Sequence, residues 1–268
     1  MENQREKRRR IKSEAKEKMR QSNTSPYLST VIYGAIIIGA VIVSILCVIV
    51  PVIIGLGISG FREESLNPFL LMGINGLVYI MQIVLSLLGA FLSIGFRRYT
   101  LKVYRGHESR YTDVFSGFTK TGVKAFLSEF LSGIMVGAVT CAAVLVILSV
   151  SFIVFALVDD IFVAVVAGIV LTILALIPIY MLYYSFIFSI YIIHDDNNSG
   201  IAEAVFKSYR MMKGNKWGLF KVDLSFMGWF ILCTFTLGFA GIYVFPYLYT
   251  VRGGYYEEIK REYESAAK

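Results

Sequence analysis

The sequence predicts an all-α membrane protein. The bundle has six transmembrane helices, the last two a short hairpin broken at Gly238–Gly241, with five spans as the alternative and amphipathic helices on the cytoplasmic side. Three observations predict it. With 56% hydrophobic residues and a mean hydropathy of +0.66, the chain is more apolar than a soluble domain, whose apolar share is roughly 45–50%. Several charge-free runs exceed the ~18–20 residues a helix needs to cross a bilayer. The net charge of +7 gathers between those runs, where cations orient membrane helices, so a nucleic-acid partner is not indicated.

Residues 1–26 form a basic cytoplasmic segment with nine Lys and Arg against four Glu. Ile11, Ala15 and Met19 recur every four residues and draw a thin apolar stripe. The segment is either a helix lying on the anionic inner leaflet or a disordered tail that only sets orientation. The polar lead-in is too long for a signal-peptide n-region, so the apolar run after it reads as an uncleaved first span. The single membrane domain covers 27–256, with cytoplasmic loops at 97–124 and 194–216, and 257–268 is a charged tail.

Segment one runs uncharged from about Tyr27 to Ser59. Gly55, Gly57 and Gly60 spell G-x-G-x-x-G, but without a strand–turn–helix context this is no dinucleotide site. Segment two, about Phe69 to Phe96, puts Asn75, Gln82, Ser86, Gly89 and Ser93 on one face, which reads as a helix–helix seam or a substrate path. Its helix should continue to Gly106. Segment three, about Ala125 to Val158, carries Gly133, Gly137 and Cys141 at four-residue spacing, a predicted packing seam. Asp159-Asp160 makes a turn into segment four, which Pro178 should bend and which tyrosines 180, 183, 184 and 191 close as an interfacial belt. An amphipathic helix follows near Ile201, with Glu203, Lys207 and Arg210 on one face and Val205 and Met212 opposite.

Arg62 is the only one of 26 Lys and Arg in the two short loops, so the N-terminus and the two long loops are expected inside. The tail, with Arg252, Lys260, Arg261 and Lys268, has a similar basic density. An inside tail needs an even number of crossings, hence the hairpin. Only about eleven residues separate Gly241 from Arg252, short for a span, so one long final helix is the other reading.

The C-terminal stretch carries Met212-Lys-Gly-Asn-Lys-Trp217, Phe220, Leu224-Ser-Phe226, Gly228-Trp229, Thr236-Leu-Gly238, Gly241, Pro246-Tyr247 and Tyr255-Tyr256, with Ser208 before them. Ile11-Lys12, Glu14-Ala-Lys16 and Asp113-Val-Phe-Ser-Gly-Phe118 are weaker echoes. In these residues the chain resembles the bacterial domain-of-unknown-function 975 family, polytopic membrane proteins common in Gram-positive bacteria. It departs from the usual pattern at Phe239-Ala240 and at Arg252-Gly-Gly254. The resemblance implies a multi-pass protein of the bacterial cytoplasmic membrane, a fold related to six-helix bacterial membrane domains, and no catalytic residues.

The remaining chemistry is sparse. Glu129, in the first turn of segment three, and Asp223, near the entry of the last block, are ionisable residues beside a membrane and hence functional candidates, together with Asn75 and Gln82. His194-Asp195-Asp196 reads as a solvated turn and cap more readily than as a cation site. Cys47, Cys141 and Cys233 each lie in an apolar run. No catalytic, cofactor or metal site is expected. The expected role is a non-enzymatic helper that binds the bilayer, its anionic head groups or a membrane partner; a small transporter or lipid-handling protein is the alternative.

Overall fold

Apolar runs bounded by polar turns become ten α-helices in the computed structural model, which describes residues 4–58, 68–157 and 161–266. They are α1 (Gln4–Gln21), α2 (Pro26–Ile58), α3 (Pro68–Arg105), α4 (Lys120–Leu157), α5 (Ile161–Phe186), α6 (Ser189–Asp195), α7 (Ile201–Met211), α8 (Lys216–Leu224), α9 (Met227–Phe235) and α10 (Gly241–Ala266). A 3-10 segment, Tyr111–Phe118, precedes α4. The short loops expected around Arg62 and at Asp159-Asp160 lie outside the described residues.

Among the described residues, five helical stretches are long and apolar enough to cross a membrane: Pro26–Val50, Asn75–Arg105, Lys120–Phe155, Val165–Asp195 and Lys216–Phe235. The sixth expected span is not among them, because α10 carries Arg252, Glu257 and Glu258 within its length and keeps no apolar window. In the membrane-crossing parts α2 packs with α3 and α4 with α5, while large side chains such as Ile42, Leu145 and Phe162 stay exposed. Lipid is as apolar as leucine, so nothing drives these faces inward.

The packed core lies at one end of the bundle. Tyr99, Tyr191, Tyr255, Tyr256, Phe188 and Phe226 are fully buried there, where α1, the end of α3, α6–α8 and α10 meet. The apolar stripe of α1 enters this core: Ile11, Ala15 and Met19 are buried, and Lys7 is ion-paired with Glu262 at 2.5 Å. The stripe is therefore spent on protein, neither on a leaflet nor in a disordered tail. Lys12 lies 4.7 Å over the Phe226 ring and donates to Ser225; burial, then the neighbouring Arg8, lowers its pKa. Half of the expected tyrosine belt turns inward as well. Tyr184 and Tyr191 are buried, whereas Tyr180 and Tyr183 are exposed.

At this same end α3 closes on Gly106 (φ +70), with the Gly106 amide on Val103 and the His107 amide on Lys102, so the helix extends to Gly106 as expected. The 3-10 segment lies against α3 through glycines. A Cβ on Gly95 would strike the Val114 carbonyl, one on Gly117 the Phe91 carbonyl, and one on Gly122 the Gly117 carbonyl.

The chain reverses after α9, where Leu237 (φ 50) and Gly238 (φ 91) adopt left-handed backbone conformations. Trp229 then faces Tyr243 (ring centroids 5.7 Å apart) and Phe230 faces Phe245, so α9 and the start of α10 run back along one another. The Tyr255 hydroxyl donates to the Asn215 carbonyl, which puts the two feet of the hairpin side by side. The final block is thus not one continuous helix, although the number of membrane-length apolar stretches among the described residues is five, as in the alternative count. The tip, Leu237–Gly241, shares a cleft with Thr30–Ile38 of α2. From Ile38, α2 continues about 30 Å further to Ile58. The hairpin therefore stops far short of the end of α2.

Candidate functional site

Where the core meets the apolar helices, two ion pairs share one aromatic ring. Arg97 Nη2 pairs with Glu129 Oε1 at 3.0 Å. Arg252 grips Asp223 through two bonds, Nε–Oδ1 at 3.0 Å and Nη2–Oδ2 at 2.7 Å, and the Tyr184 hydroxyl donates to the same carboxylate at 2.8 Å. The Tyr249 ring lies between the guanidiniums, 5.9 Å from Arg97 and 5.6 Å from Arg252. Each candidate carboxylate thus has its own arginine, because partly buried charge in a low-dielectric layer is tolerated only when paired.

The two pairs differ in what they leave over. Among the described residues Asp223 is fully engaged by Arg252 and Tyr184, whereas the buried Nε of Arg97 has no hydrogen-bond partner. A buried guanidinium donor left without an acceptor costs about 1–3 kcal/mol. Arg97 also lines one end of a groove of about 410 Å³. The groove runs between α4, from Glu129 past Ser132, Gly133 and Gly137 to Cys141, and the α5–α6 junction at Tyr183 and Ile187. Along α4 that is about 18 Å, more than half of a ~30 Å hydrocarbon layer.

The Gly133/Gly137/Cys141 face, expected to be a packing seam, is instead the floor of this groove. A Cβ built on either glycine meets nothing within 4 Å. The small side chains there make space because no helix approaches them. On α5 the analogous pattern does bring helices together, since a Cβ on Gly168 would lie 3.7 Å from the Ser151 hydroxyl. Of the polar stripe on α3, Asn75, Gln82 and Ser86 are exposed and outside this groove, whereas its lower part meets α2: a Cβ on Gly89 would lie 3.7 Å from Ile37, and Ser93 lines a small pocket with Tyr33. The structure thus joins Glu129 and Asp223 through Arg97, Tyr249 and Arg252, and leaves Asn75 and Gln82 apart.

The sequence pattern does not mark Arg97, Arg252 and Tyr249, because basic residues there read as orientation signals. A signal exists nonetheless: an arginine abutting a long apolar run, four turns along from polar side chains, invites the search for its acid. Asp195, expected in a solvated turn, is instead engaged on every side. It accepts from Tyr256 at 2.9 Å and pairs with Arg105 at 2.8 Å and Lys260 at 2.6 Å, so its oxygens are taken. Burial, then the Asp195 carboxylate, raises the Tyr256 pKa and keeps its hydroxyl a donor. Asp196 does cap the turn, accepting from the Asn198 amide and the Ser199 hydroxyl.

Many residues of the C-terminal signature build contacts around the hairpin. Ser208 donates to the Ser185 carbonyl and accepts from the Phe188 amide, bridging the α5–α6 break. Gly218 leaves room for the Tyr255 hydroxyl, and Phe226 meets Tyr247 with ring centroids 5.2 Å apart. All-helical architecture with five membrane-length apolar helices defines the class, a multi-pass helical membrane protein. The family described as "Protein of unknown function (DUF975)" matches residues 1–263, and the chain belongs to it. No curated protein and no solved structure matches the chain.

Proposed function

We propose that this chain is a non-enzymatic protein of the bacterial cytoplasmic membrane that holds a phospholipid in the Arg97 groove, with the basic end of the bundle inside. One observation carries the reading: a lipid-facing apolar groove ends on a buried arginine whose Nε lacks an acceptor. Acyl chains suit the walls around Gly137 and Ile187, and a phosphate suits the Arg97 end of the groove, where a small turn of the guanidinium would bring the buried Nε to an acceptor. Glu129, paired with one Nη, keeps the site from carrying a full uncompensated positive charge.

Native mass spectrometry of the detergent-purified protein tests it. The wild type should retain phospholipid, and Gly137→Leu should lose most of it with an unchanged melting temperature, because the new side chain enters open space. Retention equal to wild type in Gly137→Leu and in Arg97→Gln would sink the proposal.

We further propose four full crossings, α2 to α5, with the α8–α10 hairpin re-entering one leaflet from the inside. The tip is apolar and outward-facing, with Phe235, Leu237 and Phe239 82%, 90% and 75% exposed, as suits insertion among acyl chains. In a background lacking the native cysteines, Leu237→Cys should resist an impermeant thiol reagent added outside cells. A fluorescent protein fused after Lys268 should light up in the cytoplasm. Outside labelling at position 237, or a dark fusion beside an active external phosphatase fusion, would restore a crossing hairpin or a single last span.

A further inference from the structure

Away from the groove, α1 and the end of α10 enclose a polar basin of about 700 Å³, nucleotide-sized by comparison with known pockets of ~300–1,000 Å³. Arg10, Glu14 and Lys18 line one wall at four-residue steps along α1, and Glu257, Lys260 and Arg261 line the other on α10. Arg105 stands on the floor between Asp195 and Glu257. The basin's three carboxylates are all engaged: Glu14 by Arg10 and by the Tyr104 hydroxyl (2.8 Å), Asp195 by Arg105 and Lys260, and Glu257 by Arg105. Five Lys and Arg face these three acids, and Arg10 is shared with Glu258 at 2.9 Å, so a smaller positive excess remains. Lys18 and Arg261, on opposite walls, have no hydrogen bond or ion pair among the described residues.

We propose that this basin binds a soluble organic phosphate carrying at least two phosphate groups, gripped between Lys18 and Arg261. Two cations fixed on facing helices match an anion with charge at both ends better than a single small anion. The place of the basin favours a soluble ligand over a head group. Arg105 is eight residues beyond Arg97 on α3, about 12 Å further from the apolar helices. The ligand would cross-link the first and last helices of the chain, so binding should stiffen the whole inner end.

Melting of the full-length protein in non-ionic detergent provides the test, with pyrophosphate and ATP as probes. Both should raise the melting temperature, whereas sulfate at matched ionic strength should not. Lys18→Ala/Arg261→Ala should weaken pyrophosphate binding about tenfold or more. The ligand-free melting temperature of that variant should stay put, because Arg261 is exposed and Lys18 unpaired. Lys18→Arg/Arg261→Lys should retain binding, and so should Gly137→Leu, which separates this site from the groove. No shift with either probe, an equal shift with sulfate, or undiminished binding in the double alanine variant would overturn the proposal. So would stabilisation confined to nanodiscs of anionic phospholipid, which would assign these cations to head groups.

Discussion

Gly95→Ala or Gly117→Ala is expected to lower stability by about 3 kcal/mol or more, near or above the upper end of ordinary overpacking. In each case the added methyl meets a backbone carbonyl, Val114 for Gly95 and Phe91 for Gly117, and neither can swing away as a side chain would. Relief would require lifting the Tyr111–Phe118 segment off α3. That would also pull Asp113 from Lys102, a 2.7 Å ion pair. Thermal unfolding in detergent would show the loss, with Gly137→Ala as a control that should change little. Equal melting of Gly95→Ala and wild type would mean that the segment is not seated on α3 as described. The Asp113-Val-Phe-Ser-Gly-Phe118 sequence thereby gains a physical meaning: its glycine is the contact.

Asp223→Asn should be as damaging, by roughly 3–5 kcal/mol, because it strands the Arg252 guanidinium in a buried layer. The asparagine cannot supply two acceptor oxygens to the fork, and the Tyr184 hydroxyl loses its charged acceptor as well. Asp223→Leu/Arg252→Met removes both charges and should recover much of the loss, since an apolar pair leaves nothing unpaired. A double variant no more stable than Asp223→Asn would argue that the pair serves something other than neutralising burial. Chemical unfolding of the wild type, Asp223→Leu, Arg252→Met and the double variant measures the coupling directly.

Several elements were legible because their cause is local. Charge-free length marks α2, α3, α4 and α5, and the left-handed residues at 237–238 sit where the signature placed the break. The Ile11/Ala15/Met19 spacing left a helix and a disordered tail both open, and the structure makes it a helix with that stripe buried. What buries that face was not legible, since its partner surface, around Gly254 and Tyr255, lies some 240 positions away in the chain. The glycines of α4 show the same limit from the other side. Small residues allow a close approach and equally allow an open groove, and only the positions of α5 and α6 choose between them.

The sequence by itself determined the all-helical class, the membrane-length apolar helices and the family, because these follow from composition, period and short-range signature. Tertiary structure alone decided that the core lies at one end of the bundle, that the last hairpin stops beside Thr30–Ile38, and that Arg97 is left with a free donor at a groove. The reason is the same in each case. Burial and pairing of a charged or small side chain depend on which distant helix comes to lie beside it, and apolar pattern is silent on that wherever lipid can cover a face as well as protein can.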